Sequence, residues 1–236
     1  MTEEKLEANW DTWDYGSREP LFLPIDQFTE REKDLLIKSD TFCMLPWIHL
    51  HGYPDGKAYP CCLAHYDHPV GNLKEKTMEQ VWRDKPMQTM RENMLANRPC
   101  AECNKCYEQE ESGFFSMRNS SNQTFGHHIK QGLSADDFKI RYYDIRFSNL
   151  CNFSCRSCGD IFSSQWTAEY KQYGWLPKTA PNVTYAGRYK TDIWEQTLPH
   201  IPYFQEVYFA GGEPLMMQEH WNLLDELIRQ GRTDVK

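Results

Sequence analysis

The residues best suited to chemistry in this chain are its nine cysteines, because eight of them fall into three short groups. Cysteines that only fill a core tend to be scattered, whereas metal ligands recur at short spacings. The clustering therefore indicates metal ligation. The groups are Cys61 and Cys62; Cys100, Cys103 and Cys106; and Cys151, Cys155 and Cys158, while Cys43 stands apart.

The composition points to a compartment in which thiols stay reduced. The N-terminal stretch MTEEKLEANWDTWDYG is acidic and has no apolar signal core. No apolar run approaches the ~18 residues that a membrane-spanning helix needs. We therefore predict a soluble, cytoplasmic protein without disulfides and without a membrane partner. The net charge of −8 and the lack of a long Lys/Arg run argue against nucleic acid as a partner.

The group CNFSCRSC contains three cysteines, which is one fewer than a closed metal site needs. Four thiolates saturate a cluster of four irons, as in an electron carrier. Three thiolates leave one iron free to bind a substrate or cofactor, just as a catalytic metal keeps an open position. Cys158 is also expected to precede a helix, whose N-terminus stabilises a thiolate.

The elements around this group predict an α/β fold. Residues Arg141 to Phe147 alternate as in a strand, and residues Phe162 to Tyr173 suit a helix. A second strand, Glu206 to Ala210, ends in a glycine turn and is followed by another helix. This order of strand, helix, strand and helix predicts a parallel sheet, whose carboxyl edge is where α/β folds hold their sites. The last helix is expected to bury Trp221, Leu224, Leu227 and Ile228.

Other local signals are weaker. Asp192 is expected to cap a helix, with Glu195 closing a capping box. A short helix is expected over Glu30 to Lys38. The polar residues 112–136 are expected to form a connection between domains.

The N-terminal half suggests a hairpin followed by two helices. Trp47 to Leu50 and Lys57 to Cys61 are predicted strands, joined by a turn at Pro54-Asp55-Gly56. Two short helices, divided at Pro86, follow. Their apolar residues have helical spacing and are expected to pack in the core: Met78, Val81 and Trp82, then Met87, Met90 and Met94.

Two motifs in the C-terminal half resemble signatures of the radical S-adenosylmethionine (SAM) superfamily. The first is Cys-x3-Cys-x2-Cys after a strand, although Ser157 stands where that family usually has an aromatic residue. The second resembles the GGEP motif, which contacts the amino group of SAM in that family. Glycines let a ligand approach the backbone, and a glutamate can accept a charge-assisted hydrogen bond from an ammonium group. The residues concerned are Cys151, Cys155 and Cys158, and Gly211, Gly212, Glu213 and Pro214.

The resemblance implies a [4Fe-4S] cluster on the three cysteines, with SAM bound to the open iron. It implies reductive cleavage of SAM to a 5′-deoxyadenosyl radical, which abstracts hydrogen from an unknown substrate; a peptide is one candidate. It also implies a one-electron donor such as flavodoxin or ferredoxin as a partner. The radical chemistry belongs to the cofactor, and the protein supplies position and exclusion of water.

The N-terminal cysteines resemble the Twitch/SPASM auxiliary-cluster domain. Its pattern matches Cys43, the Gly56-x4-Cys61 spacing and the later pair Cys103-x2-Cys106, and the regions of Gly71-Asn72-Leu73 and Trp82 are similar as well. The resemblance implies a second, fully ligated [4Fe-4S] cluster on Cys43, Cys61, Cys103 and Cys106. Cys62 and Cys100 are rival candidates for the second and third ligands. Such domains usually follow the barrel, whereas this one precedes it.

We accordingly expect three segments: an N-terminal extension (1–40), a small α+β auxiliary-cluster domain (41–135), and the start of a partial (β/α)6 TIM-like radical SAM barrel (136–236). A full barrel needs about six strand–helix units. Two parallel strands cannot bury both faces of a sheet, so the chain is expected to be an N-terminal fragment of a longer enzyme. The 236-residue chain alone can therefore lack the activity of the longer enzyme.

A non-catalytic zinc or iron–sulfur interaction module is the alternative, since four-cysteine zinc sites are common and structural. For the third cysteine group, zinc needs a fourth ligand, and His49, His51, His65 or His68 suits only if the two domains fold together. Trp47, His49 and His51 are otherwise expected to pack the hairpin. Glu213 has an alternative role as a solvated acid in a turn.

Overall fold

The computed structural model describes residues 25–236 as a mixed five-stranded sheet with helices packed around it. The strands are β1 (His49–Gly52), β2 (Lys57–Tyr59), β3 (Gly71–Asn72), β4 (Tyr142–Ile145) and β5 (Glu206–Val207). The described α-helices are α1 (Glu30–Lys33), α2 (Met78–Arg83), α3 (Lys85–Leu95), α4 (Asn104–Glu111), α5 (Met117–Phe125), α6 (Ser164–Gln172), α7 (Asp192–Thr197) and α8 (Gln218–Arg229). This content confirms the α/β class, while the (β/α)6 barrel stays a prediction.

The sheet joins antiparallel and parallel pairs in the order β3-β2-β1-β4-β5. Strands β1, β2 and β3 pair antiparallel with one another in sequence. Strand β4 pairs parallel with β1 on one side and with β5 on the other. Beyond β5, the backbone of Lys236 donates to Gln205 and accepts from Val207. The parallel pairing of the two C-terminal strands is therefore confirmed.

The N-terminal hairpin forms, but its first strand begins later than predicted. A short 3-10 turn, Leu45–Trp47, contains Pro46 and precedes β1. The predicted turn at Gly56 is confirmed, because Tyr53 donates its backbone N–H to Lys57 at 2.9 Å. Gly56 has φ +96°, and a Cβ there would lie 2.6 Å from the side-chain oxygen of Asn72, so only glycine fits this turn.

The two predicted helices after the hairpin are α2 and α3. Thr77 and Gln80 form a capping box at the start of α2. Asp84 caps α3, and Pro86 lies in its first turn, where a missing N–H costs no hydrogen bond. Both predicted apolar faces are confirmed as buried core: Met78, Val81, Trp82, Met87, Met90 and Met94.

The stretch 112–136, predicted to connect two domains, contains helical structure that the sequence did not indicate. Helix α5 and a 3-10 helix, Gly126–Gln131, fill this stretch. The helix was missed because most of the side chains that it buries are polar, namely Arg118, Ser121 and Asn122 beside Phe125.

Both C-terminal strands are shorter than predicted, and the first of them is fully buried. All four residues of β4 are buried, so both faces of this strand are covered. Strand β5 spans only Glu206–Val207. Helix α6 confirms the predicted helix with ends shifted by one or two residues.

Two helix predictions need correction. Asp192 is the first residue of α7 rather than its cap, and its carboxylate accepts hydrogen bonds from Arg188 and Gln196. Helix α8 buries Leu223 and Leu227, whereas Trp221 and Ile228 are 46% and 75% exposed. The predicted apolar face of α8 is thus rotated relative to the buried one.

The sheet is continuous across the predicted domain boundary, since β1 and β4 come from opposite sides of it. The division into segments stays a prediction, and residues 1–24 of the predicted extension lie outside the described residues. No helix in the described range has the length and apolar character to cross a membrane.

Candidate metal centres

Four cysteines from three separate parts of the chain line one cavity. They are the predicted auxiliary-cluster residues Cys43, Cys61, Cys103 and Cys106. The remaining walls combine apolar groups with one charged pair of residues of opposite sign: Leu45, Leu63, Met117, Glu102 and Arg118. The cavity thus gathers four sulfur atoms in a largely apolar surrounding, although the first and last cysteine are 63 positions apart in sequence.

Local structure places each of these cysteines. Cys43 comes just before the Leu45–Trp47 turn, and Cys61 comes two residues after β2. Cys103 is the N-cap residue of α4, and Cys106 lies buried in the first turn of that helix. The four cysteine sulfurs of the cavity therefore come from a turn, the end of a strand and the start of a helix.

Helix α5, which the sequence did not predict, fixes the segment that carries Cys43. Asn122 accepts a hydrogen bond from the backbone of Met44 and donates one to Phe42, both at 2.9 Å. Arg118 donates to the carbonyls of Ser39 and Phe42 and forms a salt bridge with Glu110. These side chains hold the backbone on both sides of Cys43.

Burial raises the pKa of all four cavity thiols. The pKa of Cys43 rises to about 12, mainly because desolvation penalises the thiolate. Burial raises the pKa of Cys61 and of Cys103 well above the usual range, and the neighbouring cysteines add to the effect. Burial also raises the pKa of Cys106. A bound metal centre would neutralise the negative charge of the thiolates and so stabilise the form that burial disfavours.

The two rival cysteines face other surroundings. The sulfur of Cys100 lies 3.8 Å from the carbonyl of Met90 and points toward α3. For Cys62, burial and the Asp144 carboxylate raise the pKa to about 11, so Cys62 lies near β4. Neither residue lines the cavity.

The loop that contains Cys151, Cys155 and Cys158 follows β4, as predicted. Cys151 is buried, Cys155 is exposed and Cys158 is intermediate. The backbone of Cys151 exchanges two hydrogen bonds with the Ser164 hydroxyl at the start of α6. The indole of Trp166 donates to the carbonyl of Cys155 at 3.1 Å. The first turn of α6 therefore fixes both ends of the Cys151–Cys155 segment.

The prediction that Cys158 lies at a helix N-terminus is wrong. Helix α6 begins at Ser164, with Ser163 as its cap, so the loop continues for several residues after Cys158. The side chains of α6 that contact the loop bond the backbone of Cys151 and Cys155 instead.

The glycine-rich turn after β5 docks directly on the loop of the third cysteine group. Glu213 donates its backbone N–H to the carbonyl of Leu150 at 2.7 Å, next to Cys151. Gly212 donates to Phe162 at 3.1 Å, and a Cβ on Gly212 would lie 2.3 Å from the oxygen of Leu150. Gly211 and Gly212 both have positive φ. This close backbone contact requires glycine.

The carboxylate of Glu213 is partly exposed beside this contact. One of its oxygens accepts a hydrogen bond from the backbone of Leu215 at 3.1 Å. Pro214 begins the short 3-10 helix that follows. Among the hydrogen bonds of residues 25–236, the other carboxylate oxygen accepts none, so the predicted role of Glu213 toward a ligand stays a prediction.

Residues 43–107 match the family model for SPASM, described as an iron-sulfur cluster-binding domain. The match spans all four cysteines of the cavity and confirms the iron–sulfur domain that the sequence suggested there. It covers roughly a quarter of the chain and ends before Cys151. The search of curated proteins found no match, and neither did the search of solved structures.

The sequence did not reveal the polar residues that support the two cysteine sites. Arg118, Asn122 and Ser164 act through hydrogen bonds to backbone atoms distant in sequence. Helical spacing of apolar residues does not report such contacts. The serine pair Ser163-Ser164, which is typical of a helix start, is a local signal from which the cap of α6 could have been predicted.

Proposed function

We propose that this protein is a radical SAM enzyme that holds a SAM-binding [4Fe-4S] cluster and a second, auxiliary cluster. The observation that carries the proposal is the docking of the Gly-Gly-Glu-Pro turn on the cysteine loop. The two motifs lie about sixty residues apart in sequence and share a backbone hydrogen bond between Glu213 and Leu150. The cysteine loop and the Gly-Gly-Glu-Pro turn can bind one ligand only if they are neighbours, and this hydrogen bond makes them neighbours.

For the first cluster, the three cysteines of the loop are the proposed ligands, and Glu213 is proposed to accept a hydrogen bond from the amino group of SAM. When bound, the cluster and SAM supply a 5′-deoxyadenosyl radical for hydrogen abstraction. The chain's own contribution is to hold the loop: Ser164 and Trp166 tie its backbone to α6. Gly211 and Gly212 allow the turn to approach the loop closely.

For the auxiliary cluster, the cavity cysteines Cys43, Cys61, Cys103 and Cys106 are the proposed ligands. The SPASM match over 43–107 supports this assignment. A tetrahedral zinc site holds its four sulfurs about 3.8 Å apart, given Zn–S bonds of about 2.3 Å. Within residues 25–236, the one set of three ligand atoms inside 4.8 Å contains no cysteine. The wider spread of the sulfurs suits a cluster better than a single ion.

The alternative is a zinc or iron–sulfur module that does not turn over SAM. The four-cysteine donor set of the cavity is chemically suited to zinc as well. Metal and sulfide content separates these functions, because a zinc site contains no inorganic sulfide.

We would reconstitute the chain anaerobically and count iron, sulfide and zinc for the parent and for a variant with Cys151, Cys155 and Cys158 changed to alanine. Two cubane clusters predict about eight irons in the parent and about four in the variant. SAM should alter the electron paramagnetic resonance spectrum of the reduced parent and leave that of the variant unchanged.

The matched control changes Cys62 and Cys100 to alanine, since these two cysteines lie outside the cavity. The control should keep about eight irons and the response to SAM. Zinc without sulfide, at a level unaffected by the triple substitution, would overturn the enzyme proposal and leave a structural metal module.

A further inference from the structure

Three potential metal ligands other than the cysteines meet on the sheet. His49 and His51 lie two residues apart on β1, and Asp144 lies opposite His51 in the parallel register with β4. All three residues are fully buried. One ligand atom from each lies within 4.8 Å of the others, which no other group of three or more such side chains achieves in the described part of the chain.

The ring of His49 is oriented as a metal ligand would be. Its Nδ1 lies 2.7 Å from the carbonyl of Tyr142 and donates to it in the neutral tautomer. Its Nε2 is buried and has no hydrogen-bond partner in the part of the chain that the structure describes. Metal-binding histidines typically donate one ring N–H to a backbone carbonyl, which leaves the lone pair of the other nitrogen for the metal.

His51 and Asp144 are close without forming a hydrogen bond. The Nδ1 atom of His51 lies 2.8 Å from one carboxylate oxygen of Asp144, which makes an ion pair if the ring is protonated. Among residues 25–236, neither ring nitrogen and neither carboxylate oxygen makes a hydrogen bond. A shared ion would hold the two atoms slightly farther apart, since bonds of about 2.1 Å place neighbouring ligand atoms about 3.0–3.4 Å apart.

Arg146 does not pair with the buried carboxylate. It directly follows β4, and its guanidinium lies over the rings of Tyr53 and Phe162, at 4.9 and 5.0 Å. A buried carboxylate without hydrogen bonds is strongly unfavourable, and a coordinated cation removes that cost.

We propose that His49, His51 and Asp144 bind a divalent transition-metal ion such as Zn²⁺ or Fe²⁺. Two imidazoles and one carboxylate form the donor set typical of such ions. Two ligands come from the segment that matches the iron–sulfur domain and one from the strand that leads to Cys151. The ion would therefore lock these two parts of the sheet together. This inference does not depend on the proposed radical chemistry.

The test uses Zn²⁺ and the reconstituted chain with its clusters in place. X-ray absorption at the zinc edge reports only zinc, so cluster iron does not interfere. We expect about one zinc per chain with nitrogen and oxygen neighbours at about 2.0–2.1 Å. Zinc bound only to sulfur at about 2.3 Å, or no retained zinc, would overturn the proposal. Sulfide counts in the same sample report cluster loading separately.

Variants locate the ion. Asp144→Asn keeps the size of the side chain and His49→Gln removes the free Nε2; each is expected to weaken zinc binding at least 10-fold while sulfide content stays unchanged. The matched control is His65→Gln with His68→Gln, a histidine pair whose rings are 5.2 Å apart outside the sheet. Loss of the nitrogen-bound zinc in this control, with retention in Asp144→Asn, would also overturn the proposal. The parent measurement decides the matter even if a sheet variant fails to fold.

Discussion

Gly212 shows at the level of one residue how the proposed SAM site depends on backbone contact. Its φ is +55°, and an added Cβ would lie 2.3 Å from the carbonyl oxygen of Leu150 and 2.7 Å from the side chain of Met217. The side chain of Met217 can move, but the carbonyl of Leu150 belongs to the backbone that leads into Cys151. A larger residue at 212 must therefore push the glycine turn away from the cysteine loop.

We predict that Gly212→Ala destabilises the chain and lowers the iron content of the first cluster. Gly174→Ala is the matched control, because Gly174 also has positive φ but a Cβ there would meet nothing within 4 Å. Both variants incur the cost of a Cβ in the left-handed backbone region, about 1–2 kcal/mol. The clash should add about 1–3 kcal/mol to Gly212→Ala alone. Chemical unfolding and iron counts check this, and equal effects from the two alanines would contradict it.

Helix α5 shows at the level of elements how polar side chains organise the cysteine cavity. Asn122 is 4% exposed and bonds the backbone on both sides of Cys43. The N–H of Met44 has no second acceptor among the described hydrogen bonds, whereas the carbonyl of Phe42 also accepts from Arg118. Loss of the Asn122 side chain therefore leaves a buried donor unsatisfied next to a proposed ligand.

We predict that Asn122→Ala costs about 1–3 kcal/mol of stability, as expected for an orphaned buried polar group. It should also reduce iron at the auxiliary site, because Cys43 loses its support. Asn119→Ala on the same helix is the control and should behave like the parent. Unfolding in denaturant and iron counts in the background of the Cys151, Cys155 and Cys158 triple variant measure both effects. A normal iron count in Asn122→Ala would show that Cys43 needs no such support.

The elements differ in how well the sequence predicts them, and the reason is the kind of interaction that forms each one. Helices α2 and α3 have apolar faces and local caps, and both were predicted. The four cavity cysteines were predicted from the resemblance to the Twitch/SPASM domain, with Cys62 and Cys100 as rival candidates. Helix α5 was missed because its buried face is polar and its partners lie about eighty residues away. The parallel register of β1 with β4, which places His51 opposite Asp144, has no local signal at all.

At the scale of the whole molecule, buried histidines should make stability depend on acid pH. Burial lowers the pKa of His49, His128 and His200 to about 4. In the unfolded chain, a histidine takes up its proton near pH 6.5. Between these pH values the unfolded state binds more protons than the folded state, so stability is complete above about pH 6.5 and falls as the pH decreases toward 4.

His200 offers the cleanest test of this dependence, since it lies apart from the proposed metal ligands and is 5% exposed. Its Nδ1 accepts a hydrogen bond from the backbone of Ile140, so protonation would break that bond. One such histidine should cost about 1.4 kcal/mol of stability per pH unit between pH 6.5 and 4.

We predict that His200→Asn, which keeps an acceptor near Ile140, flattens the pH dependence of stability by about one proton. His65→Asn is the surface control, because the His65 side chain is 54% exposed. Unfolding free energies at pH 7, 6, 5 and 4.5 measure the slopes, and an unchanged slope in His200→Asn would show that this histidine takes up its proton within the fold.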